Sequence, residues 1–168
     1  MSIFFDGHND SFVKCYPPRH LRTFPINKHA FVHGYPQAHI DLPRALEAGY
    51  LGALCAIFID PPLGEESTCL QAHNREVPEG RQPDLEPPLD HQVALTATLE
   101  VMSHIFQDER ITDGFKVVRS YKELTDTMSR QKLAVVIHLE GCEVPVEKGE
   151  MAVSTISTPA SMAFSSVI

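Results

Sequence analysis

Three short apolar runs along the chain predict buried β-strands. They cover residues 3–5, 51–59 and 133–139, and residues 115–119 form a further short extended piece. The run at 51–59 (LGALCAIFI) is apolar nearly throughout, as in a strand that is covered on both faces of a parallel sheet. The pattern therefore predicts a parallel sheet with buried strands at its centre.

A helix is predicted between the first two of these strands. Asp41 can cap its first turn, and Pro43 lies in that turn, where a missing N–H costs little. Gly49 is the residue type that ends a helix most readily. The sequence thus predicts a helix that begins after Asp41 and ends at Gly49.

Two more helices are predicted before the last strand. Residues 120–131 begin with a capping box, in which Ser120 is followed three positions later by Glu123. Residues 89–107 have a helical period, and the apolar side chains expected to face the core recur at spacings of three and four: Leu95, Leu99, Met102 and Phe106.

The remaining long segments are rich in proline and predict loops. Residues 17–39 form an irregular first loop, and residues 61–88 contain six prolines among many charges and form a second. The succession of strand, loop, helix, strand, loop, helices and strand indicates an α/β fold with a parallel sheet. In such sheets the chemistry lies at the carboxyl ends of the strands.

Composition narrows the classes of protein. The formal net charge of the 168 residues is -8, so no basic face is available for nucleic acid. No apolar run approaches the ~20 residues of a membrane helix, and no signal peptide is recognised, which favours the cytoplasm. The four cysteines (Cys15, Cys55, Cys69, Cys142) are widely spaced, which favours free, mostly buried thiols.

Candidate chemistry lies at two strand ends. The first apolar run leads into Asp6-Gly7-His8-Asn9-Asp10, and the last leads into Glu140. Residues two apart in a strand share a side, so His8 and Asp10 can converge on one ion. An imidazole nitrogen beside carboxylate oxygens suits zinc or a similar divalent metal. The sequence therefore predicts a metal site formed by His8, Asp10 and Glu140.

The other histidines are expected to have structural roles. His138 lies two positions before Glu140, and a packed, hydrogen-bonded side chain is the favoured interpretation. Four histidines lie in or beside the first loop, where solvated side chains are favoured over substrate contacts: His20, His29, His33 and His39.

With these blocks in order, the chain resembles the membrane (renal) dipeptidase family, the M19 metallopeptidases of the amidohydrolase type. The stretches that carry the resemblance are FFDGHND at 4–10, HIDLPRALEAGYLGALCAIFI at 39–59, FKVVRSYKEL at 115–124 and VVIHLEG at 135–141. The resemblance runs from about residue 3 to about residue 145.

The resemblance implies the N-terminal portion of a (β/α)8 barrel that carries two zinc ions. His8 and Asp10 match the ligands of one zinc, and Glu140 matches the glutamate that ends the third strand, bridges both metals and is essential for catalysis. A hydroxide held between the metals would attack the peptide bond of a dipeptide. The family's two further histidines and its proton-handling aspartate have no counterpart in this sequence. The resemblance thus implies at most one partial zinc site here.

Two regions are expected. Residues 1–145 correspond to the partial barrel, because a whole barrel takes ~250 residues. Residues 146–168 form an atypical tail, interpreted as the product of truncation, whose last part (151–168) has no charged residue. Open sheet edges and an exposed apolar interior favour oligomers or aggregation.

Three functions stay open on the sequence. The first is a zinc dipeptidase, here as a part that is not expected to be active alone. The second is a non-catalytic truncated or degenerate product. The third is another amidohydrolase acting on a small amide, against which Asp10 and Glu140 argue.

Overall fold

A computed structural model describes residues 3–22, 25–59 and 89–140 of the chain. These residues form a mixed α/β structure, the fold class predicted from the sequence. The first part contains β1 (Phe4–Asn9), α1 (Ser11–Cys15), a 3-10 turn (Arg19–Leu21), α2 (Ala30–His33), α3 (Leu42–Ala48) and β2 (Tyr50–Ile57). The second contains α4 (His91–Ile111), β3 (Phe115–Val117), α5 (Tyr121–Ser129) and β4 (Leu133–Leu139).

The four strands of the described residues form one parallel sheet in the order β1-β2-β4-β3. β2 and β4 are central and pair from Gly52 with Ala134 to Ile57 with Leu139. The extended piece predicted at 115–119 is in fact a strand, because Phe115–Val117 pairs with the start of β4. Glu140 therefore follows β4, which is fourth along the chain but third in the order of the sheet, so its match to the glutamate that ends the third strand of a barrel stays a prediction.

The helix predicted after Asp41 is confirmed at both ends. Asp41 accepts a hydrogen bond from the backbone N–H of Arg44, and Pro43 lies in the first turn. Gly49 ends the helix with a φ of 75°, a left-handed conformation that disfavours residues with a Cβ atom. The capping box is confirmed in part, since Ser120 accepts from the Glu123 N–H, while the Glu123 carboxylate accepts from the N–H of Arg119 rather than from that of Ser120.

The core-facing stripe predicted for α4 is confirmed only in part, because the fully buried stripe is displaced from it by one position. Leu99 is 55% exposed, and the other three predicted residues are only partly buried. The buried side chains include those one position earlier, and they are Ala94, Ala97, Thr98, Val101, Ile105 and Asp108. Met102 and Phe106 still pack against the core with part of their surface, whereas Leu99 is turned outward.

The first loop is less irregular than its prolines suggested. It contains the 3-10 turn and α2, and its Phe31 is buried against Phe12 and Phe115, with ring centroids 4.4 and 5.7 Å away. Cys15 and Cys55 are free and buried, as predicted. The second loop (61–88), the tail (146–168), Cys69 and Cys142 lie outside the described residues.

β1 is an edge strand of the described sheet and leaves apolar side chains exposed. Ile3, Phe4 and Phe5 are each about half exposed, at 54%, 54% and 48%. Among the described helices, none combines the length and the apolar character needed to cross a membrane.

Candidate metal centre

The candidate metal ligands lie at the carboxyl edge of the sheet, on the two strands that flank β2. His8 lies near the end of β1, and Asp10 directly follows that strand. Glu140 directly follows β4, and its backbone N–H donates to the carbonyl of Ile57, the last residue of β2. The ladders of the sheet thus bring residues from distant parts of the sequence to one edge.

The three side chains come close to the spacing that a zinc ion requires. His8 Nε2 lies 3.3 Å from Glu140 Oε2 and 3.7 Å from Asp10 Oδ1. One ligand atom from each residue lies within 4.8 Å of the others. In a tetrahedral site with bonds of about 2.0–2.2 Å, two ligand atoms lie roughly 3.3–3.6 Å apart. The donor set and its spacing therefore fit a zinc ion with little movement.

The charges of the group also suit a divalent cation. Two carboxylates and one imidazole that is neutral when it binds a metal give a net charge of minus two. The side chains are 42–49% exposed, so water can occupy a remaining coordination position. A group with three protein ligands and an open position is typical of catalytic rather than structural zinc.

Two small cavities adjoin the group. One of about 210 Å³ is lined by His8, Asp10, Glu140, Val13, Lys14 and Phe58. The other, of about 270 Å³, shares His8, Asp10 and Lys14 and is also lined by His39 and Ile40. Lys14, whose ammonium group has no ion-pair partner within the described part of the chain, therefore borders the group on both sides. Lys14 lies on α1, four residues after Asp10, and its place in the sequence carries no motif that would have identified it.

A larger cavity lies at the other edge of the sheet. It has a volume of about 340 Å³ and is lined by residues around the amino ends of β3 and β4. Its charged side chains are largely engaged with neighbours, as in the ion pair of Lys132 with Asp113 and the bond from the Val117 N–H to Glu109. It contains no group suited to a metal and is distant from the carboxyl ends of the strands.

His138 packs beside the candidate ligands. Its ring lies edge-on to that of His8, with centroids 6.0 Å apart, and within the described residues it makes this contact rather than the expected hydrogen bond. Among the loop histidines, His39 is exposed as expected, although it also lines a cavity. His29 is only 29% exposed, and its Nδ1 lies 2.7 Å from Asp108 Oδ1, so the expectation of a solvated side chain fails for His29.

A buried polar network ties the first loop to α4. Asp108 is 1% exposed, accepts from the Tyr16 hydroxyl and lies 2.7 Å from His29 Nδ1. Burial, together with the hydrogen bond to Asp108, raises the pKa of Tyr16 well above its usual value. The Tyr16 oxygen also accepts from the Phe31 N–H at 3.0 Å. The sequence contained one signal of this network, since Asp108 continues the apolar stripe of Val101 and Ile105.

Comparison with known proteins finds one relative by sequence. No protein-family model matches it. It is 31% identical over 139 residues to an uncharacterized protein in the PQQ-III 3' region of Acinetobacter calcoaceticus, covering 83% of this chain and 40% of that protein.

Two solved structures are similar to the chain. The dipeptidase AC, a metallopeptidase of family M19, has a TM-score of 0.63 and 26% identity. A metallopeptidase from Rhodobacter sphaeroides, liganded with a phosphinate mimic of the dipeptide L-Ala-D-Ala, has a TM-score of 0.67 and 28% identity. Each match covers 84% of this chain, but only 36% and 38% of the solved chains.

The neighbours are metal-dependent hydrolases, which implies a metal cofactor for their family. The chain spans about two fifths or less of the length of each of these three proteins. Over that part, the resemblance to the M19 dipeptidases that the sequence indicates is confirmed, and the chain is related to this family in both sequence and fold.

Proposed function

We propose that His8, Asp10 and Glu140 bind one zinc ion, and that they form part of the active centre of a dipeptidase. The observation that carries the proposal is the convergence of one imidazole and two carboxylates, from two strand ends, within 4.8 Å of one another. This position, at the carboxyl edge of a parallel sheet, is where such folds hold their chemistry.

Each of the three residues has a separate task in this proposal. His8 supplies a nitrogen ligand and Asp10 a charged oxygen, and both come from one strand end. Glu140 has two carboxylate oxygens, so it can hold this ion with one and a second ion with the other. Bound zinc would acidify a water molecule and polarise the carbonyl group of the peptide bond.

The proposed substrate is a dipeptide. The support comes from the neighbours, one of which is a dipeptidase while the other is liganded with a dipeptide mimic. Lys14 borders both cavities beside the three ligands, and its ammonium group suits the free carboxylate of such a substrate. The cavities are small, which favours a short peptide over a folded protein.

The proposed activity belongs to a protein that supplies the rest of the barrel. Residues 1–145 would form part of that barrel, and the ligands of the second metal would come from strands beyond Glu140. With one metal, the water is less acidified and the carbonyl less polarised, and each effect is worth several kcal/mol in the barrier. We therefore expect the 168-residue chain alone to bind zinc but to show no turnover of dipeptides.

Zinc titration of the purified chain tests the proposal. The chain should bind one equivalent, and Glu140→Gln should weaken binding by roughly 100-fold. Zinc sites with four ligands gain about 10–16 kcal/mol, or roughly 3 kcal/mol per ligand, and tenfold in affinity corresponds to about 1.4 kcal/mol. Affinity should also fall as the pH is lowered, because protons compete for all three ligands.

A matched control is the variant Glu47→Gln, whose exposed carboxylate lies on α3. It should bind zinc like the unaltered chain. Equal affinities for the Glu140→Gln and Glu47→Gln variants would refute the assignment of the site. Clear zinc-dependent turnover of a dipeptide by the chain alone, lost in His8→Ala, would show that the ligands beyond Glu140 are not needed.

A further inference from the structure

A tyrosine at the start of β2 connects two polar residues that flank His8. The Tyr50 hydroxyl donates to Asp6 Oδ2 at 2.5 Å and accepts from Asn9 Nδ2 at 2.9 Å. Burial, with the hydrogen bond to Asp6, raises the pKa of Tyr50 well above its usual value, so the hydroxyl keeps the proton that it donates. Asp6 and Asn9 are thus both held by one oxygen atom.

The segment between Asp6 and Asn9 is an irregularity in the sheet. Asp6 pairs with Ala53 and Asn9 with Cys55, so three steps along β1 correspond to two steps along β2. One extra residue is therefore accommodated at Gly7 and His8, as in a β-bulge. A bulge changes the direction of the side chains that follow it, and bulges are frequent beside active sites.

The bulge separates Asp6 from the candidate ligands. In a regular strand Asp6, His8 and Asp10 would share one side, and their three side chains would all face the same ion. Instead Asp6 accepts from Tyr50 with one oxygen and from the His8 N–H with the other, at 3.0 Å. His8 remains with Asp10 and Glu140, and Asp6 does not join their group.

Side-chain hydrogen bonds help to hold this irregular segment in place. Asn9 Oδ1 accepts from the Ser11 N–H at 3.2 Å, which fixes the chain on the other side of Asp10. Asn9 Nδ2 also lies 3.7 Å from Cys55 Sγ, on the strand that it pairs with. The backbone N–H of His8 and that of Ser11, the residue after Asp10, are therefore each held by a side chain that is itself hydrogen-bonded to the Tyr50 hydroxyl.

We propose that Tyr50 is a positioning residue for the metal site, which acts by holding the bulge from which His8 projects. The inference rests on the proposed function, since it assigns Tyr50 a role toward the ligands His8 and Asp10. Removing the hydroxyl leaves Asp6 free to rotate toward the ion and lets His8 move relative to Glu140. Partners that orient metal ligands typically change metal affinity 10- to 100-fold when they are lost.

The test uses the full chain and two matched variants. Tyr50→Phe removes the hydroxyl at the bulge, and Tyr121→Phe removes one from an exposed side chain on α5. Zinc affinity is measured by competition, and cobalt(II) absorption reports the ligand geometry. We expect Tyr50→Phe to bind zinc about 10-fold more weakly, with an altered cobalt spectrum and a cooperative melt, and Tyr121→Phe to match the unaltered chain.

Several outcomes would overturn the inference. Unchanged affinity and an unchanged cobalt spectrum in Tyr50→Phe would do so directly. If that variant fails to fold, Asp6→Asn, which keeps the side-chain volume, decides by the same criteria, and failure of both to fold would show a purely structural role.

A readout without metal separates the inference from the proposed function. Histidine ring resonances of the metal-free chain should shift for His8 in Tyr50→Phe and not in Tyr121→Phe. If the unaltered chain binds no zinc, the proposed function fails, while this spectrum still reports whether Tyr50 positions the imidazole. Unmoved His8 resonances would overturn the inference in either case.

Discussion

Replacing Asp41 with alanine should lower the stability of the fold. The Asp41 side chain connects α3 to the first loop, near the candidate metal ligands. Its side chain is 4% exposed and accepts from the Tyr35 N–H at 2.9 Å and from the Arg44 N–H at 3.1 Å. The first bond fixes the turn that leads to His39, and the second caps α3. Both donors lose their partner in the Asp41→Ala variant.

The expected loss is about 2 kcal/mol in the free energy of unfolding. Loss of an N-cap costs about 1 kcal/mol, and a partly buried N–H such as that of Tyr35, left unpaired, costs about 1 kcal/mol more. The ion pair with the exposed Arg44 guanidinium is left out of this figure. For a protein of this size, the loss corresponds to a fall of about 6 °C in the melting temperature.

The pH dependence provides a second measurement. Burial alone would raise the pKa of Asp41, but the hydrogen bonds from Arg44 and Tyr35 outweigh it and hold this pKa below its ordinary value of 3.8. A lowered folded-state pKa means that the stabilisation is fully present above about pH 4 and is lost as the pH falls through the folded-state pKa. The difference between the unaltered chain and Asp41→Ala should therefore shrink below pH 4.

Urea denaturation followed by circular dichroism, at pH 7 and between pH 4 and 2, measures both effects. Asp41→Asn retains one oxygen acceptor and should lose about half as much stability as Asp41→Ala. A loss of less than about 0.5 kcal/mol in Asp41→Ala at pH 7, or a difference that grows on acidification, would refute this account of the cap.

Further predictions concern other parts of the described fold. Gly49→Ala should cost about 1 kcal/mol in urea denaturation, because its φ of 75° disfavours a Cβ atom; no loss would contradict the left-handed helix end. Asp108→Ala should lower the free energy of unfolding by about 3 kcal/mol, because it leaves the buried Tyr16 hydroxyl without its acceptor. The control Asp113→Ala, at a side chain that is 95% exposed, should lower it far less. The chain should form oligomers in sedimentation experiments, and Phe4→Lys should raise the monomer fraction, since Phe4 is 54% exposed on an edge strand; a monomeric unaltered chain would exclude this.

The elements that the sequence predicted well are those decided by neighbouring residues. The strand predicted at 133–139 matches β4 at both ends, and Asp41 and Gly49 mark the ends of α3 as expected. These signals involve only residues that are close in sequence: a continuous apolar run, a capping side chain and a glycine that ends a helix. They can therefore be recognised without knowledge of the tertiary structure.

The face of α4 was not predicted, because it depends on the elements that pack against the helix. Leu99 was expected to face the core, whereas the buried residues of this helix include the small Ala94 and Ala97. A close approach between helix and sheet selects small residues, and the periodicity of apolar side chains does not reveal that distance. The hydrogen bond between Tyr16 and Asp108 was not predicted for a similar reason, because the two residues lie 92 positions apart in the sequence.

The candidate site combines a local and a non-local part. His8 and Asp10 could be paired from their spacing alone, and the parallel topology brought Glu140 to the same edge. The bulge could not be predicted, because it depends on hydrogen bonds from Tyr50, 41 positions beyond Asn9. Regular alternation of side chains along β1 would have placed Asp6 with His8 and Asp10. The structure shows that Asp6 is not part of the candidate ligand group.

On the function proposed here, the arrangement of the sheet makes the first metal site independent of the rest of a barrel. Its ligands come from β1 and β4, and both strands pair with β2 inside the described chain. The ladders that fix the spacing of His8 and Glu140 are therefore complete without any further strand. Ligands for a second ion would come from further strands, which the described sheet does not contain, so only that ion would depend on closure of a barrel. Binding of one zinc ion and hydrolysis of a dipeptide should consequently be separable properties, the first belonging to this sheet and the second to a larger assembly.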